Sequence, residues 1–341
     1  IYKEMKSVMD KKELHHIVLK EQCNICQIVA LKKGVMVYSD TWHDITKENA
    51  FHIASATKSI MSLLIGIAID KGFIESTQQK VLDFFPDYQI KRGEKTIQYV
   101  TLEHLLTMTA PYKYKSEPWT KVCKSEDWTK AVLNLLGGRA GITGEFKYST
   151  LGIQILSAII TKVSGLATIE FANRFLFEPL GIAPRASFSV KSKAEHIDFV
   201  TSKSPKKEIW FCDSNQIATA GFGLCLSAKE LVKIGQMCLD KGVYQGKQIV
   251  SSWWIQRSTT AFVQCGKRFN NMAYGYLWWI VDAEKNIYAA IGDGGNVLYI
   301  NTSAQIVISV TSTFKPAVFD RIEFIQEYIE PFVENYKCNK I

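Results

Sequence analysis

The sequence predicts an α/β (α+β) architecture: an antiparallel sheet drawn from both ends of the chain, flanked by helices, with a mostly helical segment inserted between. Three observations predict it. Apolar runs with strand spacing fall before residue 42 and after residue 275, while helix-period patterns fill the stretch between. No internal repeat or low-complexity linker separates these parts, so they are expected to pack on one another. The composition, 47% hydrophobic and 22% charged over 341 residues, is enough to build a large core. The expected division is 1–72 with 273–341 for the sheet and 73–272 for the helical part. A cleft between the two is the default place for a site.

In order along the chain, residues 1–13 read as a short charged helix. The runs 17–20, 25–33 and 35–41 read as strands, with Gly34 turning the last two into an antiparallel hairpin. Residues 55–71 then form a helix-compatible apolar run that Gly72 ends. Shorter helices are expected at 82–85, 102–108 and 128–136. Leu151, Ile153, Leu156, Ile160 and Val163 give an amphipathic helix over 150–164, closed by Gly165. Helical stretches follow at 169–177 and 228–239. Strands return at 276–281, 288–291, 297–300 and 306–311. Phe319, Ile322, Ile325 and Ile329 share one face of a closing helix over 319–333.

Several function classes are disfavoured. The +8 net charge is spread over short pairs such as Lys32-Lys33, Lys91-Arg92 and Lys206-Lys207, with no basic stripe, so no nucleic-acid partner is expected. At most it gives a weak pull on anionic substrates. The longest apolar run, 60–69, is broken by Ser62 and Gly66 and suits a buried helix, not a membrane span. Eight cysteines show no disulfide framework, and Cys23-x-x-Cys26 has no second pair to complete a metal site. With no visible leader, they favour a reducing, cytoplasmic setting. His104 lies in an apolar helix pattern and reads as structural. Trp119, Trp128 and Trp210 are candidates to line the cleft, and Trp253-Trp254 and Trp278-Trp279 read as core. Nothing in the sequence sets an oligomeric state.

Ser-x-x-Lys occurs three times, at Ser55/Lys58, Ser204/Lys207 and Ser312/Lys315. Context separates them. Ser204 precedes Pro205 in a Lys-rich loop, and Ser312 ends a strand. Only Ser55 opens a long apolar helix. There, residues i and i+3 share a face, so the Lys58 amine reaches the Ser55 hydroxyl. The helix start offers free N–H groups for a developing oxyanion. Apolar surroundings favour the neutral, basic form of Lys58. Together these describe an activated nucleophile that needs no histidine. Two further segments fit. Tyr148, after a Gly-rich stretch, can place its phenol beside Lys58, where a nearby cation would lower its pKa and make it a phenolate base. The small residues around Asp293, Gly294, Gly295 and Asn296 let a backbone edge approach a substrate.

This order of segments resembles the serine β-lactamase and penicillin-binding-protein superfamily. The resemblance is to its class C-like branch of esterases, D-amino-acid peptidases and 6-aminohexanoate-dimer hydrolases. It runs through FHIASATKSIMSLLIGIAIDKGFI, TLEHLLTMT, GEFKYSTLGIQILSAIITKVSG, the 218–254 segment and the closing strands around DGGNVLYIN. It implies a β-lactamase-like fold and an acyl-enzyme hydrolase of a small ester, amide, peptide or β-lactam, with no metal or organic cofactor. Ser55 would be the nucleophile, Lys58 would take its proton, and Tyr148 would relay a proton to the leaving group. The N–H groups of Ser55 and of a residue near Asn296 would hold the oxyanion. The chain departs from the family where Thr150 replaces a frequent Asn and Asp293 replaces a frequent Lys or His. An acid at 293 would repel a substrate carboxylate. These departures motivate the alternative of a catalytically weakened module that binds a peptide or cell-wall fragment. A further departure puts Ala110-Pro111 where Ser-Gly often follows the TMT segment.

Overall fold

A computed structural model describes residues 9–336. The hairpin expected around Gly34 is formed by β1 (Ile25–Lys32) and β2 (Val35–Thr41). Lys33 and Gly34, at φ of 51° and 74°, make the two-residue turn whose twist suits paired strands. Six more strands come from the far end of the chain: β3 (Val263–Gln264), β4 (Ala273–Tyr274), β5 (Trp279–Asp282), β6 (Ile287–Gly292), β7 (Asn296–Asn301) and β8 (Ile306–Ser312). They join β1 and β2 in one eight-stranded antiparallel sheet of order β2-β1-β8-β7-β6-β5-β4-β3. The two chain ends meet where β1 pairs with β8, with Ile28 opposite Val310. β6, β7 and β8 are buried along their whole length, which explains why they read as continuous apolar runs.

The first described helix, α1 (Lys11–Glu21), corrects a sequence expectation. Residues 17–20 are the end of this helix, not a strand. Asp10 caps it by accepting from Lys12 N and Glu13 N, and Leu14 and Val18, four apart, fill its buried face. The 1–13 helix expected from the sequence lies largely outside the described residues. The helix α2 (Thr57–Asp70) is entered through a single tight turn, Ala54–Ala56, and is buried from Thr57 to Ala68. Its Gly66 is a contact residue: a Cβ there would sit 2.3 Å from the Trp254 ring.

The helix α3 (Gln154–Ser164) ends at Gly165 as expected but begins four residues late. Residues 148–151 are instead drawn out of helix, with Leu151 N donating to the Glu117 carboxylate. The helix α4 (Ala228–Leu239), with Ser227 and Glu230 as a capping box, packs over β8, β1 and β7. Ser309 Oγ on β8 donates to Ala228 O at its start.

Four other readings change. The strand expected at 276–281 starts only at Trp279, because Leu277 takes a φ of 61° and bonds to Leu106 O. The closing helical run covers 322–335, so Phe319 stays outside it, partly exposed, against Phe269 and Trp279. Trp128 and Trp210 are core residues, with Trp210 Nε1 donating to Thr219 O, so neither lines a cleft. Of the other Trp pairs, Trp254, Trp278 and Trp279 are buried while Trp253 is 55% exposed. His104 caps its own helix by accepting from Thr101 N. Among the described residues no single helix is long and apolar enough to cross a membrane.

Candidate active site

The site is built where α2, the 148–151 segment and the end of β6 converge. Along residues 51–68 every side chain is buried except Ser55, which stays partly open to solvent. Lys58, one turn on, is 1% exposed, and its amine makes three contacts. Ser55 Oγ is at 2.9 Å, Thr150 Oγ1 at 3.1 Å and Gly221 O at 2.8 Å. The Gly221 carbonyl can only accept. A neutral amine therefore donates to Gly221 and to Thr150 and turns its lone pair to the Ser55 hydroxyl. Burial favours that neutral form: desolvation pulls the Lys58 pKa down to about 7, against the opposing charges of Glu117 and Asp293.

Tyr148 lies beside this pair, its ring centre 4.9 Å from Lys58 Nζ. It stacks on Trp279 at 5.8 Å. The depressed tyrosine pKa expected from the sequence is reversed. Burial raises it, the Ser55 hydroxyl pulls it back, and the charges of Asp293 and Glu117 raise it further. With Lys58 near neutrality, no cation offsets these effects. Burial thus favours the neutral phenol of Tyr148, and Lys58 can offer a free amine above about pH 7.

Glu117 is a residue that sequence reasoning missed. Its Oε1 accepts from Ser149 Oγ at 2.8 Å and from Leu151 N at 2.7 Å, so it holds the backbone on both sides of Thr150. Tyr114 joins the same knot through Ser149 Oγ at 2.6 Å. The Gly221 carbonyl was also missed, since no sequence pattern marks a backbone acceptor. Buried His52 is held neutral, its Nε2 accepting from Gly223 N, with burial pushing its pKa down to about 3.

The glycine-rich segment divides into two jobs. Gly292, at the end of β6, abuts the Ser55 turn: a Cβ there would meet Ile53 O at 2.1 Å and Ser55 N at 3.0 Å. The next residue, Asp293, is exposed. Neither Ser55 N–H nor Asp293 N–H donates to a backbone acceptor among the described residues. Gly294, Gly295 and Asn296 serve the turn itself. Asn296 is 1% exposed, donates to Asp293 O and accepts from Ser312 N. Gly294 O accepts from Asn24 Nδ2 and from Arg321, and Gly295 O accepts from Arg321 Nε.

Comparison with known proteins bears on the fold and the family. A 6-aminohexanoate-dimer hydrolase of Paenarthrobacter ureafaciens is 24% identical over 281 residues, covering 77% of this chain and 66% of that protein. An uncharacterized protein of Alkalihalophilus pseudofirmus is 22% identical, covering 70% of this chain and 62% of that one. The chain thus spans just under two thirds of the length of these curated relatives. Among solved structures, the octameric penicillin-binding protein homologue from Pyrococcus abyssi superimposes with a TM-score of 0.67 at 21% identity, covering 89% of this chain and 74% of that one. At that identity the likeness speaks for the fold. The Beta-lactamase family model matches residues 27–327, from the first strand of the sheet past the last. A match of that length makes the chain a member of the beta-lactamase family.

Proposed function

We propose that the protein hydrolyses a small ester, amide, peptide or β-lactam through an acyl-enzyme on Ser55. The observation that carries this reading is the 2.9 Å contact between Ser55 Oγ and the buried, near-neutral Lys58 amine. Ser55 Oγ attacks the acyl carbon while its proton passes to Lys58 Nζ. The oxyanion is held by Ser55 N–H and Asp293 N–H. This reading puts at Asp293 the second backbone donor expected near Asn296. Tyr148, still carrying its proton, passes it to the leaving group and is reprotonated from Lys58. Water then releases the acyl group by the reverse relay. The cleft lies between the part that carries the sheet, to which β3 (Val263–Gln264) also belongs, and the mostly helical part that follows residue 72. Ser55, Lys58 and Asp293 come from the first, and Tyr148 and Thr150 from the second.

Intact-mass analysis after incubation with a fluorophosphonate, and separately with a penicillin, tests this. A single phosphonyl adduct on the wild type that is lost in Ser55→Ala is expected. A penicillin adduct lost in the same variant would place β-lactams among the substrates. An adduct that persists in Ser55→Ala overturns the assignment of Ser55. An unlabelled wild type favours the weakened, peptide-binding module that Thr150 and Asp293 suggested.

A further inference from the structure

The charge of the whole chain and the charge at Ser55 have opposite signs. The chain carries +8. Yet the two charges acting on both Lys58 and Tyr148 are the carboxylates of Glu117 and Asp293. Neither carboxylate forms an ion pair among the described residues. Glu117 is fixed by its bonds to Ser149 and Leu151. Asp293 is exposed and follows directly on Gly292, which touches the Ser55 turn.

Aromatic faces accompany the two acids. Phe269 lies 6.0 Å from the Tyr148 ring and meets the partly exposed Phe319 at 5.6 Å. Phe222, next to the carbonyl that holds Lys58, takes the edge of Trp119 at 5.8 Å. Carboxylates and aromatic faces both attract an organic cation and offer nothing to a carboxylate. Lys58, with its pKa brought down to about 7, carries only part of a charge at neutral pH and none well above it, against two carboxylates.

We infer that this site takes substrates with an alkylammonium group close to the scissile bond and turns away those with a carboxylate there, with Asp293 as the selecting residue. The inference rests on the acyl-transfer reading of Ser55 and narrows it. Charges farther than about 8 Å away are largely screened at physiological salt, and the amine of Lys147, next to Tyr148 in the chain, is taken up by the carbonyls of Tyr112 and Tyr114.

Matched p-nitrophenyl esters test the inference. One series ends its acyl chain in trimethylammonium, in the isosteric tert-butyl group or in carboxylate. A second series carries the same three groups on the leaving phenol. In at least one series the wild type is expected to favour cation over anion in kcat/KM by about tenfold, a preference that shrinks with added salt. Asp293→Asn should collapse that ratio and Asp293→Lys should invert it. Equal rates for cation and anion in both series, or an anion preference, overturn the inference while Ser55-dependent turnover of the neutral ester keeps the acyl-transfer reading. A ratio unchanged in Asp293→Lys removes Asp293 as its source. Neutral-ester turnover that survives in Ser55→Ala is the separate failure of the underlying reading, and the inference falls with it.

Discussion

Lys58 shows how one residue gains its chemistry from what surrounds it. It lies in a helix whose residues 57–68 are all buried, out of reach of the water that would stabilise its charge. That environment brings its pKa down to about 7. The sign of the consequence follows. Below that value Lys58 is protonated and cannot accept from Ser55, and above it the amine is free. Thus kcat/KM for a neutral ester should rise through about pH 7. It should then stay level through pH 10, since the Tyr148 pKa is raised, not lowered. A bell with a falling limb near pH 8 or 9 would mean that Tyr148 ionises as part of the resting base. Ser55 and Lys58 were legible in the sequence because their relation is local, three residues on one helix face. Thr150 was legible as a position, but its partner was not, since Lys58 lies 92 residues away.

At the scale of the element, the nucleophile turn depends on a strand end pressed against it. The last residue of β6, Gly292, has to be a glycine, because any side chain there would strike Ile53 O and Ser55 N, both backbone atoms that cannot swing aside. Gly292→Ala should therefore cost about 2 kcal/mol in a urea melt. The same substitution should lower esterase kcat by at least about tenfold, because a small misplacement of the reacting groups is costly. An alanine variant with wild-type kcat would show that this contact does not position Ser55. The long elements were readable from their periodicity: β1, β2, α2, α3, α4 and β6 to β8. The misread ones followed from contacts the sequence does not display. The helix Lys193–Thr201 buries only Phe199, so it has no apolar stripe to detect. Residues 150–153 have helical spacing, yet Glu117 draws their backbone into the site. Glu117 carries no pattern of its own, being a lone acid in a loop that gains its meaning from two hydrogen bonds.

For the whole molecule, Arg321 joins parts of the chain that are far apart in sequence. It is 3% exposed and donates to Gln22, to Asn24 and to the carbonyls of Gly294 and Gly295. Asn24 in turn bonds Gly294 O and Thr313 O. Replacing Arg321 by Leu takes the donor from Gly295 O and from the Asn24 side-chain oxygen and should cost about 3 kcal/mol in a urea melt. It should also loosen the turn that carries Asp293, lowering kcat in the fraction that remains folded. Full stability in Arg321→Leu would show that water replaces the guanidinium without loss. The sheet itself has a consequence in time. β1 is hydrogen-bonded to β8, so a strand made early waits for residues 306–312 before it has its neighbour. At translation speeds of about 10 residues per second, that wait lasts roughly half a minute. During it the hairpin 25–41 presents an open edge, and the apolar helix that follows lacks the strand β6 it rests on. Until then the nascent chain exposes apolar surface that the finished sheet covers, and the Ser55 turn gains the strand end beside it only after the last strands leave the ribosome.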